Sequence, residues 1–294
     1  MDYLLHILIV VHVYIIVAVS LNLLVGYTGL VSVAHAGLYG VGAYAGALLS
    51  TWYGGGFAVG FLGAIAVAAA VGALVGMLAV RLRDDLLVIA TLCAQMLLYS
   101  VFNNWIEVTN GPLGVAGIPR PTLFGWKPSS NLEFFLLTVP CVAIACWVVL
   151  RLVQSPFGRV LRSIREDELY AQALGKNTPY YKVAAFLSSA GLVGAAGYLY
   201  AHYVRFIDPT SFTFMESILM LSIVIIGGAG RLFGSVVGAV ILVSAPELLR
   251  FLDVPSGIAA NIRQVLYGAL LVLVVLFRPL GICGTYTLSR RRAT

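Results

Sequence analysis

NLLVGYTGLVSVAHAGLYGVGAYAGA, residues Asn22 to Ala47, contains no Asp, Glu, Lys or Arg and breaks once, at a glycine turn around Gly29. It reads as the end of one apolar helix followed by nearly the whole of the next, each long enough to cross about 30 Å of hydrocarbon. Within the second helix Gly29, Ser32, His35, Gly37, Gly40, Gly42 and Gly46 keep one or more faces narrow, and Gly42 and Gly46 form a GxxxG pair. Small residues at that spacing let helices pack closely in lipid. The same residues also leave room for a solute, and both readings stay open here.

The rest of the chain repeats this pattern. Apolar blocks predict nine spans, at about residues 4–25, 30–50, 57–80, 86–102, 134–153, 183–204, 215–229, 234–250 and 262–278. Hydrophobic residues make up 61% of the 294 and charged residues 10%, and the mean hydropathy is +0.98. A soluble domain is closer to half apolar and a quarter charged, so it could not bury this much apolar surface. Continuous apolar runs also exclude a transmembrane barrel, whose strands alternate. The expectation is an all-α, polytopic transmembrane helical bundle. Met1 and Asp2 lack the basic region of a secretory signal, so the first apolar run is expected to be retained as a span. Cys93, Cys141, Cys146 and Cys283 show no metal-ligand spacing and read as small apolar side chains.

Basic residues set the orientation. If the loop after the fifth span is cytoplasmic, thirteen of the eighteen Lys and Arg fall on that side and five on the other. The positive-inside rule then places the N-terminus outside and the C-terminus in the cytoplasm. The net charge of +6 is thereby explained without nucleic acid, and the tail Ser289 to Arg292 suits anionic membrane lipid. Two connections are long. The outer one, 103–133, is rich in turn and aromatic residues. The inner one, 154–181, opens with Ser155 and Pro156, closes with Gly175 and Pro179, and carries Val160, Ile164, Ala171 and Leu174 near helical spacing. Its polar members are Arg159, Arg162, Arg165, Glu166, Asp167 and Glu168. It reads as a short amphipathic helix on the cytoplasmic side, resting on headgroups or gripped by a soluble partner. A faint echo links Asn22–Ala47 to Ile223–Val240, each a span, a glycine turn and a glycine-rich span.

Catalytic signatures are missing. The Gly175-Lys176 pair lacks the upstream glycine and the following Ser or Thr of a nucleotide-binding loop, and no HExxH or GxSxG occurs. Asp208, Glu216, Glu247 and Asp253 are expected near the outer face, with no charge at a span centre. That disfavours an ion-coupled secondary carrier driven by a buried carboxylate, although sodium sites of carbonyls and hydroxyls stay open. The neutral polar residues left for a pathway are Asn22, Ser32, His35, Tyr44, Thr91 and Gln95.

Six ordered blocks carry a resemblance: Leu21–Leu49, Asn110–Pro119 (NGPLGVAGIP), Ser155–Gly175 (SPFGRVLRSIREDELYAQALG), Leu199–Ile218, Ile226–Ala239 (IGGAGRLFGSVVGA) and Phe277–Ile282 (FRPLGI). Over nearly its whole length the chain resembles the LivM-type permease subunit of branched-chain amino acid ABC importers. The resemblance implies one transmembrane permease domain, 1–294, and a heterodimeric pairing with a second related permease. It further implies two cytoplasmic ABC ATPase subunits that bind ATP and Mg, and a periplasmic solute-binding protein. No cofactor belongs to this chain by that resemblance, and the location is the bacterial inner membrane. Ser155–Gly175 would be the coupling element, with Glu168, Ala171 and Gly175 where a loose EAA motif falls. Many members read TLxFGE early in the fourth span, whereas this chain reads TLCAQM from Thr91 to Met96. Related permeases carry urea and short amides, so those solutes are the alternative cargo.

Overall fold

A computed structural model of the chain describes residues 2–52, 56–80, 82, 84–122, 125, 127–250, 268–269 and 281–283. All of the expected ninth span except residues 268–269, together with Arg81, Arg83, Asp253 and the basic tail, lies outside the described residues. In chain order the helices are α1 (Asp2–Asn22), continued by a π-helical segment (Leu23–Thr28), α2 (His35–Trp52), α3 (Phe57–Ala79), α4 (Asp84–Asn104), α5 (Ile106–Thr109), α6 (Asn131–Gln154), α7 (Pro156–Glu166), α8 (Glu168–Ala173), α9 (Thr178–Val204), α10 (Phe214–Gly227) and α11 (Leu232–Arg250). Among the described residues, five helical segments are long and apolar enough to cross a membrane: 2–28, 57–78, 86–104, 131–154 and 178–204. Two shorter apolar helices, 214–227 and 232–245, accompany them.

The sequence-based boundaries shift where neighbouring elements decide them. The second helix begins at His35, not near 30, and the sixth apolar run is helical from Thr178, not from 183. Asn177 accounts for the latter, because its side-chain oxygen accepts the amide of Tyr180 at 3.3 Å and Pro179 fits the first turn. α6 starts at a capping box in which Ser130 Oγ accepts the Glu133 amide at 3.2 Å while the Glu133 carboxylate accepts the Ser130 amide at 3.4 Å. The single amphipathic helix expected over Ser155–Gly175 is two. α7 stops at Glu166, and Asp167 then caps α8 by accepting the Tyr170 amide at 3.0 Å.

α2, α3 and α9 pack most closely. A Cβ at Gly42 would run into the Cα and carbonyl of Gly194, one at Gly46 into the Tyr198 ring, and one at Gly72 into the Ala190 side chain. At Gly42 the contact is backbone to backbone, and at Gly46 and Gly72 the missing side chain admits a neighbour's side chain. At one end of the bundle, strands β1 (Val115–Ala116) and β2 (Phe206–Ile207) pair antiparallel. The other end carries α7 and α8 with their arginines and is called the basic end below.

Candidate functional site

Between the π-helical segment and α2, residues 29–34 have no helical ladder although four of the six are buried and the other two half-buried. Gly29, at φ +75°, ends the segment in the left-handed region, where its amide bonds back to the carbonyl of Leu24. In hydrocarbon each freed amide needs a partner, because no water supplies one. The partners come from α4 and α10. Thr91 Oγ1 accepts the Val33 amide at 3.1 Å, Ser217 Oγ accepts the Ala36 amide at 3.0 Å, and Gln95 Oε1 accepts the Gly37 amide at 2.6 Å. Gln95 Nε2 donates to the carbonyl of Phe212 at 2.8 Å, and Ser217 Oγ donates to Gln95 Oε1 at 3.3 Å. Gln95 is the midpoint of the 86–104 span, so α2 and α10 both start near mid-membrane, joined through one amide side chain.

His35 opens α2. Ser20 Oγ donates to the Val17 carbonyl at 2.7 Å and lies 2.9 Å from His35 Nε2, so it accepts the Nε2 proton. His35 Nδ1 is then a buried acceptor without a partner. Ser32 is buried in the break, and its Oγ accepts the Ala34 amide at 3.4 Å. Tyr44 is buried, its ring 4.8 Å from that of Phe102, with its hydroxyl unpartnered. The structure thus gathers Ser32, His35, Thr91 and Gln95 at one crossing and sets Tyr44 farther along α2. Asn22 lies elsewhere, at the turn between α10 and α11. It accepts the Gly230 amide at 2.9 Å and donates to the Arg231 carbonyl at 2.8 Å and to Ser235 Oγ at 2.7 Å.

One acid sits deeper than the sequence suggests. Glu216 was expected near the outer face, yet it accepts a hydrogen bond from Tyr14, one residue from the midpoint of the 2–28 span. The cause is the segment before it. After β2 the chain turns inward through a 3-10 turn, Pro209–Phe212, and brings Phe212 to the depth of Gln95 before α10 begins. Nothing in the apolar pattern marks that dip.

At the basic end Arg165 turns inward. Its side chain is 12% exposed, and Nη1 donates to the Gly26 carbonyl at 2.7 Å inside the π-helical segment, while Nη2 meets Glu166 at 2.7 Å. Gly29 admits the Arg165 side chain, since a Cβ there would lie 2.9 Å from Arg165 Cγ. Arg162 bends back to the Val153 carbonyl at 3.0 Å, and Arg159 is exposed. Glu168 is drawn onto α9, with Lys182 Nζ at 2.6 Å and Thr178 Oγ1 at 3.1 Å, and Ala171 is buried beneath α8. What α8 and its flanks present outward is Leu169, Tyr170, Leu174 and Tyr180, each more than half exposed, with Asp167 and Gly175 exposed beside them. The sequence reading placed Leu174 on one apolar stripe with Val160, Ile164 and Ala171. Leu174 instead ends α8 at its C-cap and is exposed, while Ala171 in the same helix is buried. Among the described residues, no cluster of three or more His, Cys, Asp or Glu side chains is placed to hold a metal ion.

Comparison with known proteins gives a consistent picture. Residues 3–275 match the family model described as the permease component of branched-chain amino acid transport systems. The chain is 36% identical over 293 residues to the high-affinity branched-chain amino acid transport system permease protein LivM of Salmonella typhimurium, covering 92% of this chain and 67% of that protein. The LivM protein of Escherichia coli (strain K12) matches with the same identity and coverage. The LivH permease of Salmonella typhimurium is 28% identical over 294 residues, covering 92% of this chain and 91% of its own. No solved structure matches.

Proposed function

The chain belongs to the family of branched-chain amino acid transport system permease components, and on that footing we propose how its geometry serves import. It is a permease subunit of a branched-chain amino acid importer and a multi-pass membrane protein. It pairs in the bacterial inner membrane with a second, related permease; similarity to both LivM and LivH proteins supports two like subunits. The basic end faces the cytoplasm, a reading supported by the thirteen-to-five distribution of Lys and Arg. ATP and Mg bind on two partner ATPases, since this sequence has no nucleotide-binding loop of its own. A periplasmic binding protein delivers the solute at the opposite end.

The observation that carries this reading is that Leu169, Tyr170, Leu174 and Tyr180 are exposed at the basic end, which also exposes Arg159, Arg162 and Glu166. An exposed apolar cluster with a charged rim is the anatomy of a protein interface. Force applied there passes through α7 to Arg165, from Arg165 to the Gly26 carbonyl, and along the π-helical segment into the break that precedes α2. Closure of the ATPase pair would thereby shift the mid-membrane start of α2. The test is uptake of labelled leucine, and separately of urea, in cells carrying this chain with its partner subunits. Leu169→Asp combined with Tyr170→Asp is expected to abolish leucine uptake while the two permeases still assemble. Leucine uptake that persists without a working ATPase would refute the reading.

A further inference from the structure

α8 has six residues, Glu168–Ala173, too few to hold an orientation by their own helical bonds. The first turns of α9 set it instead. Lys182 Nζ lies 2.6 Å from Glu168 Oε1, and Thr178 Oγ1 donates to the same oxygen at 3.1 Å. Gln172 Nε2 closes the net by donating to Thr178 Oγ1 at 2.9 Å. Thr178 and Lys182 stand one turn apart on the same face of α9, so both reach one carboxylate. Ala171, within α8, is fully buried. α7, on the other side of the break at Asp167, meets α9 through the rings of Phe157 and Tyr181, 5.6 Å apart, an apolar contact that can slide.

Lys182 is held against its own solvation. Its side chain is 5% exposed and that of Glu168 is 23% exposed, and a charge so placed is tolerated only when paired. A buried ion pair seldom stabilises a fold more than apolar side chains of the same volume would. What this one supplies is a fixed relation between two helices, because two donors converging on one carboxylate oxygen restrict the register of α8 on α9. The exposed side chains Leu169 and Tyr170 of α8 are therefore carried by α9, and α9 packs backbone to backbone on α2 where Gly194 meets Gly42.

We propose that the Lys182–Glu168 pair is a positioning device that fastens the ATPase-facing surface of α8 to α9. The proposal rests on the importer reading above and deepens it, since the docked surface then acts on the membrane helices by two routes. One runs from Arg165 to the Gly26 carbonyl, and the other from Glu168 to Lys182. Glu168 serves coupling from the inside, through Lys182, and not by touching the ATPase.

The experiment uses the assembled importer in proteoliposomes with its binding protein, the native cysteines replaced, and spin labels at Ala173→Cys in α8 or Arg159→Cys in α7, each paired with Leu187→Cys in α9. All three positions are exposed. The 173–187 separation is expected to be the same without nucleotide and with ATP, while the 159–187 separation changes. In Lys182→Met the 173–187 distribution should broaden, and leucine accumulated per ATP hydrolysed should fall about tenfold or more, the equivalent of one charge-assisted hydrogen bond. ATP hydrolysis itself should continue. Glu168→Gln keeps an oxygen for both donors and should lose about threefold, and the exchange Glu168→Lys with Lys182→Glu should restore most of the coupling. A wild type in which α8 moves relative to α9, or a Lys182→Met importer with normal leucine per ATP, overturns the proposal. If Lys182→Met does not assemble, full leucine per ATP in Glu168→Gln overturns it as well, since the pair then supports folding alone. Leucine uptake that persists without a working ATPase instead overturns the importer reading, and this proposal with it.

Discussion

Replacing Gln95 by leucine tests the crossing most directly. The substitution keeps volume and removes an amide that accepts the Gly37 amide, accepts from Ser217 and donates to the Phe212 carbonyl. A buried N–H or C=O left alone costs about 1–3 kcal/mol, while side-chain hydrogen bonds between membrane helices average about 0.6 kcal/mol because the unfolded chain finds other partners in lipid. One orphaned donor and one orphaned acceptor then sum to about 2–4 kcal/mol. For a chain of this size that corresponds to a melting temperature lower by on the order of 5–10 °C. The assay is thermal unfolding of the purified, detergent-solubilised protein, with hydrogen exchange at the Gly37 amide as the local probe. Exchange there should accelerate in Gln95→Leu and much less in Gln95→Glu, which keeps the acceptor for Gly37 but loses the donor to Phe212. A Gln95→Leu protein that melts with wild type and keeps Gly37 protected would refute the view that this amide joins α2 to α10.

Three further substitutions probe other contacts. Asn22→Ala should lower stability by about 2–3 kcal/mol, read by the same melt, because it strips the Gly230 amide of its acceptor and frees the Arg231 carbonyl. Gly42→Val should prevent accumulation of folded protein in membranes, since even one carbon there meets the Gly194 backbone; overpacking of this kind costs about 1–3 kcal/mol or more. Arg165→Ala should leave ATP hydrolysis running while leucine uptake drops about tenfold or more, and Arg165→Lys should restore only part of it, because a single ammonium lacks the forked donors with which the guanidinium spans Gly26 and Glu166.

Much of the architecture is readable from the chain alone. The apolar blocks locate the long helices, and Ser155, Pro156, Gly175 and Pro179 bracket the basic-end insertion as drawn from sequence. The limits of α2 and α10 are not readable, because residues 29–34 have the same composition as the helices around them. What stops the helix is a set of acceptors far away in sequence: Thr91 lies 58 residues from Val33, and Ser217 lies 181 from Ala36. Arg165 is similar. Its place on a polar face is visible, but its inward turn depends on a carbonyl 139 residues distant that a π-helical turn leaves available. Asn22 looked like any polar residue in a span, and its three bonds form with a turn more than 200 residues later. The depth of Glu216 follows from the dip at 209–212 and from nothing periodic in its own helix.

The close contact of α2, α3 and α9 has a consequence for any account of the transport cycle. Where Gly42 meets Gly194 and Gly72 meets Ala190, no long side chain stands between the helices that could change rotamer and let them slide. These three helices are therefore expected to travel as one rigid body, with alternation between states falling to the joints at its margin: the break before α2, the 209–212 dip and the Asn22 clamp. Spectroscopic labels placed on α3 and α9 should hold a constant separation throughout the cycle and so provide a fixed frame against which the displacement of α7 can be measured.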